Sequence, residues 1–153
     1  MEGVFTGGCQ CGAVRFRAEK LGRASICHCR MCQKAFGSFF GPLVGADLAH
    51  LTWTRGQPTL FRSSAKIKRG FCSKCGTPLS YHYPEGVDLA IGALDHPEAI
   101  EPQVQLNHAV RLPWIDHLFE KPVAEQEYDV GDVVSFQHPD HDTTVWPPEE
   151  DEA

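Results

Sequence analysis

Seven cysteines stand in three tight groups: Cys9 with Cys11, Cys27 with Cys29 and Cys32, and Cys72 with Cys75. Thiolates two or three positions apart bring their sulfurs together around a soft cation far more readily than they form mutual disulfides, which demand a set separation of their backbones. The pattern points to metal, and zinc is the expected ion. Glycine flanks two of the groups, in Gly8-Cys9-Gln10-Cys11-Gly12 and Cys72-Ser73-Lys74-Cys75-Gly76, where a chain folding its backbone around an ion needs unusual dihedrals.

The number is informative in itself, because seven is four plus three. Two pairs close a tetrahedron of four thiolates, whereas the triplet supplies three ligands and leaves a position open. Structural zinc sites are saturated by protein and catalytic ones keep a place for water or substrate. One closed and one open site is the reading taken here, with two zinc ions per chain. The alternative is a single four-cysteine site beside a triplet that is merely buried, as free cysteine often is.

The elements that must position these groups read mainly as strands. Alternating or β-branched and aromatic runs occur at residues 14–18, 39–44, 51–55, 59–62, 66–71, 79–83, 88–92 and 104–108, separated by Gly, Pro, Asp and Asn. Helix signals are confined to residues 29–36 and to residues 96–100, the latter started by Asp95 and Pro97. The pattern predicts a mainly β domain over residues 1–137, with residues 138–153 as an acidic, Pro-rich tail anchored by Val145 and Trp146.

Charge follows the same division. The net charge of −6 is confined to the tail, which holds six acids and no Lys or Arg, so the body is neutral. Residues 48–84 contain no acid but six cations: Arg55, Arg62, Lys66, Lys68, Arg69 and Lys74. A stripe of this kind can track nucleic-acid phosphates, but four zinc-bound thiolates carry a net charge of about −2 and call for nearby cations as well. The acidic end and the lack of a long basic extension disfavour nucleic acid. The first residues have neither a basic start nor an apolar segment, and the most apolar stretch, residues 35–46, falls short of the ~20 residues of a membrane span. With an odd number of cysteines, the expectation is a protein of the reducing cytoplasm, without a membrane partner.

Four ordered segments carry a resemblance to a known family. They are Gly8-Cys9-Gln10-Cys11-Gly12-Ala13-Val14-Arg15-Phe16; Cys27-His28-Cys29-Arg30-Met31-Cys32-Gln33-Lys34-Ala35-Phe36-Gly37-Ser38; Arg69-Gly70-Phe71-Cys72-Ser73-Lys74-Cys75-Gly76-Thr77-Pro78-Leu79; and Ile91-Gly92-Ala93-Leu94-Asp95-His96-Pro97. Over residues 5 to about 115 the chain resembles the glutathione-dependent formaldehyde-activating enzymes, which share their domain with the centromere protein V group. The resemblance implies a zinc-containing β-tent fold of small antiparallel sheets with few short helices. It assigns Cys9, Cys11, Cys72 and Cys75 to a structural zinc, and Cys27, Cys29 and Cys32 to a second zinc where glutathione engages. The chain departs from the family pattern at Gln105, where many members carry histidine, and at Asp116-His117-Leu118-Phe119.

The implied chemistry is that of a carbon–sulfur lyase of the S-(hydroxymethyl)glutathione synthase type, with glutathione or another small thiol and a small aldehyde as partners. Glutathione carries two carboxylates, so its site wants cations. Arg30 and Lys34 are the first candidates for substrate binding, followed by Lys74 and Arg69, all of which could instead offset thiolate charge. His28, between two ligands, either donates to a sulfur and carries a proton or simply faces solvent. His82 reads as a half-buried sheet residue, and Trp114 and Phe36 as core. Two other classes stay open: a zinc scaffold binding a protein or nucleic acid, and a zinc store or redox sensor.

Overall fold

The computed structural model describes residues 1–124 and 134–146, and the ordered elements lie within the first of these segments. The described residues form nine strands and one α-helix: β1 (Glu2–Gly8), β2 (Arg15–Cys27), α1 (Arg30–Phe36), β3 (Gly41–Ala46), β4 (Leu51–Arg55), β5 (Thr59–Arg62), β6 (Lys68–Phe71), β7 (Pro78–Tyr83), β8 (Gly86–Ala90) and β9 (Val104–Leu106). The strand order is β1-β2-β3-β8-β7-β6-β5, with β4 and β9 also paired to β2. All pairings are antiparallel except that of β2 with β9. The fold is thus mainly β with short helical segments, as expected, and no helix among the described residues is long and apolar enough to cross a membrane.

Strand β2 organises the molecule. Its first half pairs with β1 and β4, its second half with β3 and β9, and the register with β3 shifts between Leu21 and Ala24. Such irregularities bend a strand and increase its twist, which lets one strand serve two sets of neighbours. The alternation over residues 14–18 marked only the first half; the second runs on to Cys27, delivering the first cysteine of the triplet.

Phe16, Ala18, Ala24, Val44, Leu79 and Leu89 have no exposed surface, and Trp53 meets Phe16 edge to face at 5.7 Å. Burying a residue such as Phe16 contributes about 1.5–3 kcal/mol. Strand β1 has no apolar alternation to announce it. Its Gly7 is required by proximity: a Cβ there would stand 2.3 Å from the Ala93 carbonyl oxygen, next to the Gly7–Leu94 bridge.

A buried ion pair ties β2 to the chain after β8. Arg15 donates to both oxygens of Asp95, at 2.7 and 2.6 Å, and Thr6 adds a hydroxyl donor to Asp95 at 2.5 Å. Burial pushes the Asp95 carboxyl up, but Arg15 and Thr6 outweigh it and hold the group below its ordinary range. Asp95 therefore does not start a helix; His96 precedes the short 3-10 turn Pro97–Ala99.

Residues 138–146 dock on this same region. The His138 amide donates to the Gln10 carbonyl at 2.7 Å, Asp142 accepts from Arg15 at 2.7 Å, and Arg55 donates to the Thr143 carbonyl. Trp146 stacks edge-on against His138, and both cover Gly12, whose φ of 71° and lack of a side chain make room for them. Trp146 is the anchor anticipated from sequence, whereas Val145 is exposed.

Candidate metal centres

The first cysteine cluster is built from two hairpin-like knuckles. Cys9 and Cys11 sit between β1 and β2, Cys72 and Cys75 between β6 and β7, and each knuckle ends on a left-handed glycine, Gly12 with φ of 71° and Gly76 with φ of 80°. Within the knuckles, Gly12 N–H donates to Cys9 O at 3.0 Å and Gly76 N–H to Cys72 O at 2.8 Å. Cys9 and Cys11 sulfurs are 3.6 Å apart, Cys11 and Cys72 sulfurs 3.8 Å, and all four lie within 4.8 Å of one another. A tetrahedron with zinc–sulfur bonds of about 2.3 Å has edges of about 3.8 Å. The four sulfurs fit a single ion.

Protonation favours the same conclusion. Burial pushes the Cys9 thiol up to about 12, whereas at Cys75 the opposing hydrogen bonds, led by Thr77, overcome burial and bring the thiol down to about 6. Four crowded sulfurs cannot all ionise without a cation, so metal binding at this cluster must release protons.

The second cluster gathers at the exit of β2. Cys27 ends the strand, Cys29 is the N-cap of α1, and Cys32 lies in its first turn, with the Cys32 N–H donating to the Cys29 sulfur at 3.4 Å. The three sulfurs are within 4.8 Å of one another, and among the described residues no further His, Cys, Asp or Glu ligand atom joins them. The cluster could hold a metal with a position left open.

Two polar side chains that spacing alone does not reveal complete this cluster. Asn107 donates its side-chain amide to the Cys27 sulfur at 3.2 Å, and Arg69 donates to the Cys32 sulfur at 3.3 Å. Asn107 is the one non-glycine with positive φ (54°) among the described residues, a conformation that asparagine tolerates better than most. Arg69 is buried, stacks over the Tyr81 ring at 4.8 Å and also donates to Ser63. Its contact with Cys32 is the one that charge compensation requires. Burial nevertheless pushes the Cys32 thiol up to about 12 against the pull of Arg69, while Cys27 is lowered despite burial by the Cys29 backbone and Asn107.

Histidine 28 neither reaches a sulfur nor faces solvent. It is 1% exposed, with Nε2 paired to the Gln105 side-chain oxygen at 2.8 Å, its carbonyl accepting from Gln33 at 2.8 Å, and Phe40 and His108 rings beside it. Gln105, the departure from the family pattern, is thus the partner that fixes this ring. Arg30 and Lys34 are both exposed one turn apart on α1, the helix that carries Cys32, and Arg30 donates to Gln33 at 3.1 Å. Lys74 is exposed on the four-cysteine knuckle. His82 pairs with Ser80 at 2.8 Å and is half-buried in β7, as anticipated. Phe36 packs against the core, but Trp114 is 40% exposed and meets Phe39 at 4.8 Å, so it belongs to the surface rather than to the core.

Comparison with known proteins agrees with this geometry. The family described as glutathione-dependent formaldehyde-activating enzyme matches residues 4–109. The crystal structure of a Rhodobacter sphaeroides protein, a structural-genomics target, superposes with a TM-score of 0.53 at 25% identity, covering 67% of this chain and 99% of that one. No curated protein sequence matches.

Proposed function

Since the chain belongs to the glutathione-dependent formaldehyde-activating enzyme family, we propose that it is a carbon–sulfur lyase that joins the sulfur of glutathione, or of a similar small thiol, to formaldehyde or another small aldehyde. The observation that carries the reading is the inequality of the two clusters: four sulfurs converge at one and three at the other. We assign one zinc to each. The first, on Cys9, Cys11, Cys72 and Cys75, is saturated by protein and structural. A zinc held by Cys27, Cys29 and Cys32 would supply an open position that binds a thiol and keeps it deprotonated near neutral pH.

The chain's own residues divide the remaining work. Asn107 and Arg69 hold the Cys27 and Cys32 sulfurs in place and offset part of their charge. Arg30 and Lys34, on the helix that presents Cys32, meet a carboxylate of glutathione. In the reaction a sulfur–carbon bond forms at the aldehyde carbon, the carbonyl π pair moves to oxygen, and that oxygen takes up one proton, equal to the one the thiol gave up. No oxidant is required.

Formaldehyde and thiols combine without help, so the test must measure rate. Exchange spectroscopy by NMR follows the interconversion of free glutathione and its hydroxymethyl adduct. The full-length zinc-loaded protein is expected to speed exchange at catalytic concentration, and Cys29→Ser to abolish the acceleration while remaining folded. Equal exchange rates with and without the protein would refute the enzyme reading.

A further inference from the structure

A recess opens on the sheet face that carries Cys27. It is a cleft of about 580 Å3 whose lining includes Lys20, Arg23, Tyr83, Asp88 and Leu106. Leu106 is the register partner of Cys27 on β9, so the cleft begins one strand away from the three-sulfur cluster. Its floor is made of Gly22 and Gly45. A Cβ on Gly45 would come no closer than 3.7 Å to anything, the nearest atom being the Asp88 Oδ1, and one on Gly22 would lie 3.6 Å from the Gly45 carbonyl. Side chains at these positions would fill the trough without striking its walls.

The carboxylate beside these glycines has the Tyr83 hydroxyl as a hydrogen-bond partner but no cation paired with it. Asp88 forms no ion pair with any described residue. Burial raises its carboxyl above the ordinary range, with Tyr83 and Arg23 only partly offsetting it. Arg23 is exposed in the same lining and also makes no ion pair among the described residues. Asp47, the other acid of the lining, is already engaged by the Ala49 amide at 3.0 Å and by His50 at 3.1 Å. The cleft therefore offers a carboxylate without an ion pair and two cations, Arg23 and Lys20, that form none among the described residues, a set able to meet both charges of a zwitterion.

We propose that this groove receives the amino-acid end of the thiol substrate, with Asp88 accepting from its ammonium and Arg23 donating to the carboxylate on the same carbon. The proposal rests on the reading of the three-cysteine cluster as a thiol site and names the γ-glutamyl end of glutathione as the occupant. The dimensions agree. Ser25 precedes Cys27 on the same face by roughly 7 Å and Arg23 lies beyond it at the register shift of β2, while an extended tripeptide spans roughly 10 Å and the arginine side chain reaches back. The glycyl carboxylate at the opposite end of glutathione remains for Arg30 and Lys34.

Calorimetry on the full-length zinc-loaded protein with three probes tests the assignment: glutathione, cysteinylglycine, which lacks the γ-glutamyl group, and S-methylglutathione, which keeps both charged ends but has no free thiol. Asp88→Asn and Arg23→Gln are each expected to weaken glutathione binding by at least about tenfold and to leave cysteinylglycine within about twofold. Gly45→Leu, which fills the trough, gives the same pattern should Asp88→Asn fail to fold. Equal losses for both thiols, or none for either, overturn the groove. If instead S-methylglutathione matches glutathione in wild type and loses affinity in Asp88→Asn while cysteinylglycine never binds, the groove stands and the thiol reading of the cysteine triplet fails.

Discussion

Replacing Cys72 and replacing Cys29 should have unequal effects on stability, because the two clusters close loops of very different length. Cys11 and Cys72 are 61 positions apart in sequence yet 3.8 Å apart at sulfur, and with Cys9 and Cys75 they tie the start of the chain to the β6–β7 connection. A cross-link over such a loop removes chain entropy worth about 4 kcal/mol at 25 °C, by the relation used for disulfides. Cys27 and Cys32 close a loop of five, for which the same relation gives about 2 kcal/mol. A domain of this size has total stability on the order of 5–15 kcal/mol, and each kcal/mol moves its thermal midpoint by about 2–4 °C. Cys72→Ser is thus expected to lower the midpoint by about 8–16 °C, and Cys29→Ser by about half as much or less, since α1 remains capped and packed through its neighbours. Differential scanning calorimetry of zinc-loaded wild type and both variants, repeated in excess chelator, makes the comparison. Excess chelator, which empties both clusters, should bring wild type down to the Cys72→Ser value or below it. Equal midpoints for the two variants, or a wild type indifferent to chelator, would show that the four-cysteine cluster is not a folding cross-link.

Further outcomes follow from other contacts. Asp95→Asn leaves the buried Arg15 with only Asp142 and should destabilise the fold by about 3 kcal/mol in denaturant titration; because the folded-state pKa of Asp95 is depressed, its contribution is present above the ordinary carboxylate pKa and lost as pH falls through the lower folded value, so the wild-type advantage over Asp95→Asn must shrink on acidification. Burial, with Arg15 nearby, lowers the pKa of His138. Its neutral form is favoured in the docked state, so docking of residues 138–146 should weaken as pH falls below about 6.5, read as a change in Trp146 fluorescence that a chain ending at residue 137 lacks. Replacing Arg30 and Lys34 together by Gln should weaken glutathione binding by about 1–3 kcal/mol if they hold its carboxylate, with a marked salt dependence in wild type; a loss under about 1 kcal/mol is the signature of screening alone.

The sequence by itself determined the cysteine groups, the arithmetic of four plus three, and the strands whose pattern is local. β4 and β5 were read at their observed bounds, because Leu51-Thr52-Trp53-Thr54-Arg55 and Thr59-Leu60-Phe61-Arg62 alternate or carry β-formers between turn residues. The glycines at the four-cysteine knuckles were legible for the same reason: wrapping an ion is a local backbone demand. What tertiary structure decided is everything that depends on distant partners. β1 is a strand because β2 pairs with it and Ala93 approaches Gly7, which no propensity of a Gly-rich segment foretells. Asn107 and Arg69 reach the triplet from 80 and 37 positions away, and Asp95 was taken from Pro97 by an arginine 80 positions earlier. His28 sits between Cys27 and Cys29 in sequence but turns inward to Gln105, because alternate residues at the end of a strand face opposite sides of the sheet. Ligand spacing is written along the chain, whereas the donors that orient those ligands come from wherever the sheet brings them.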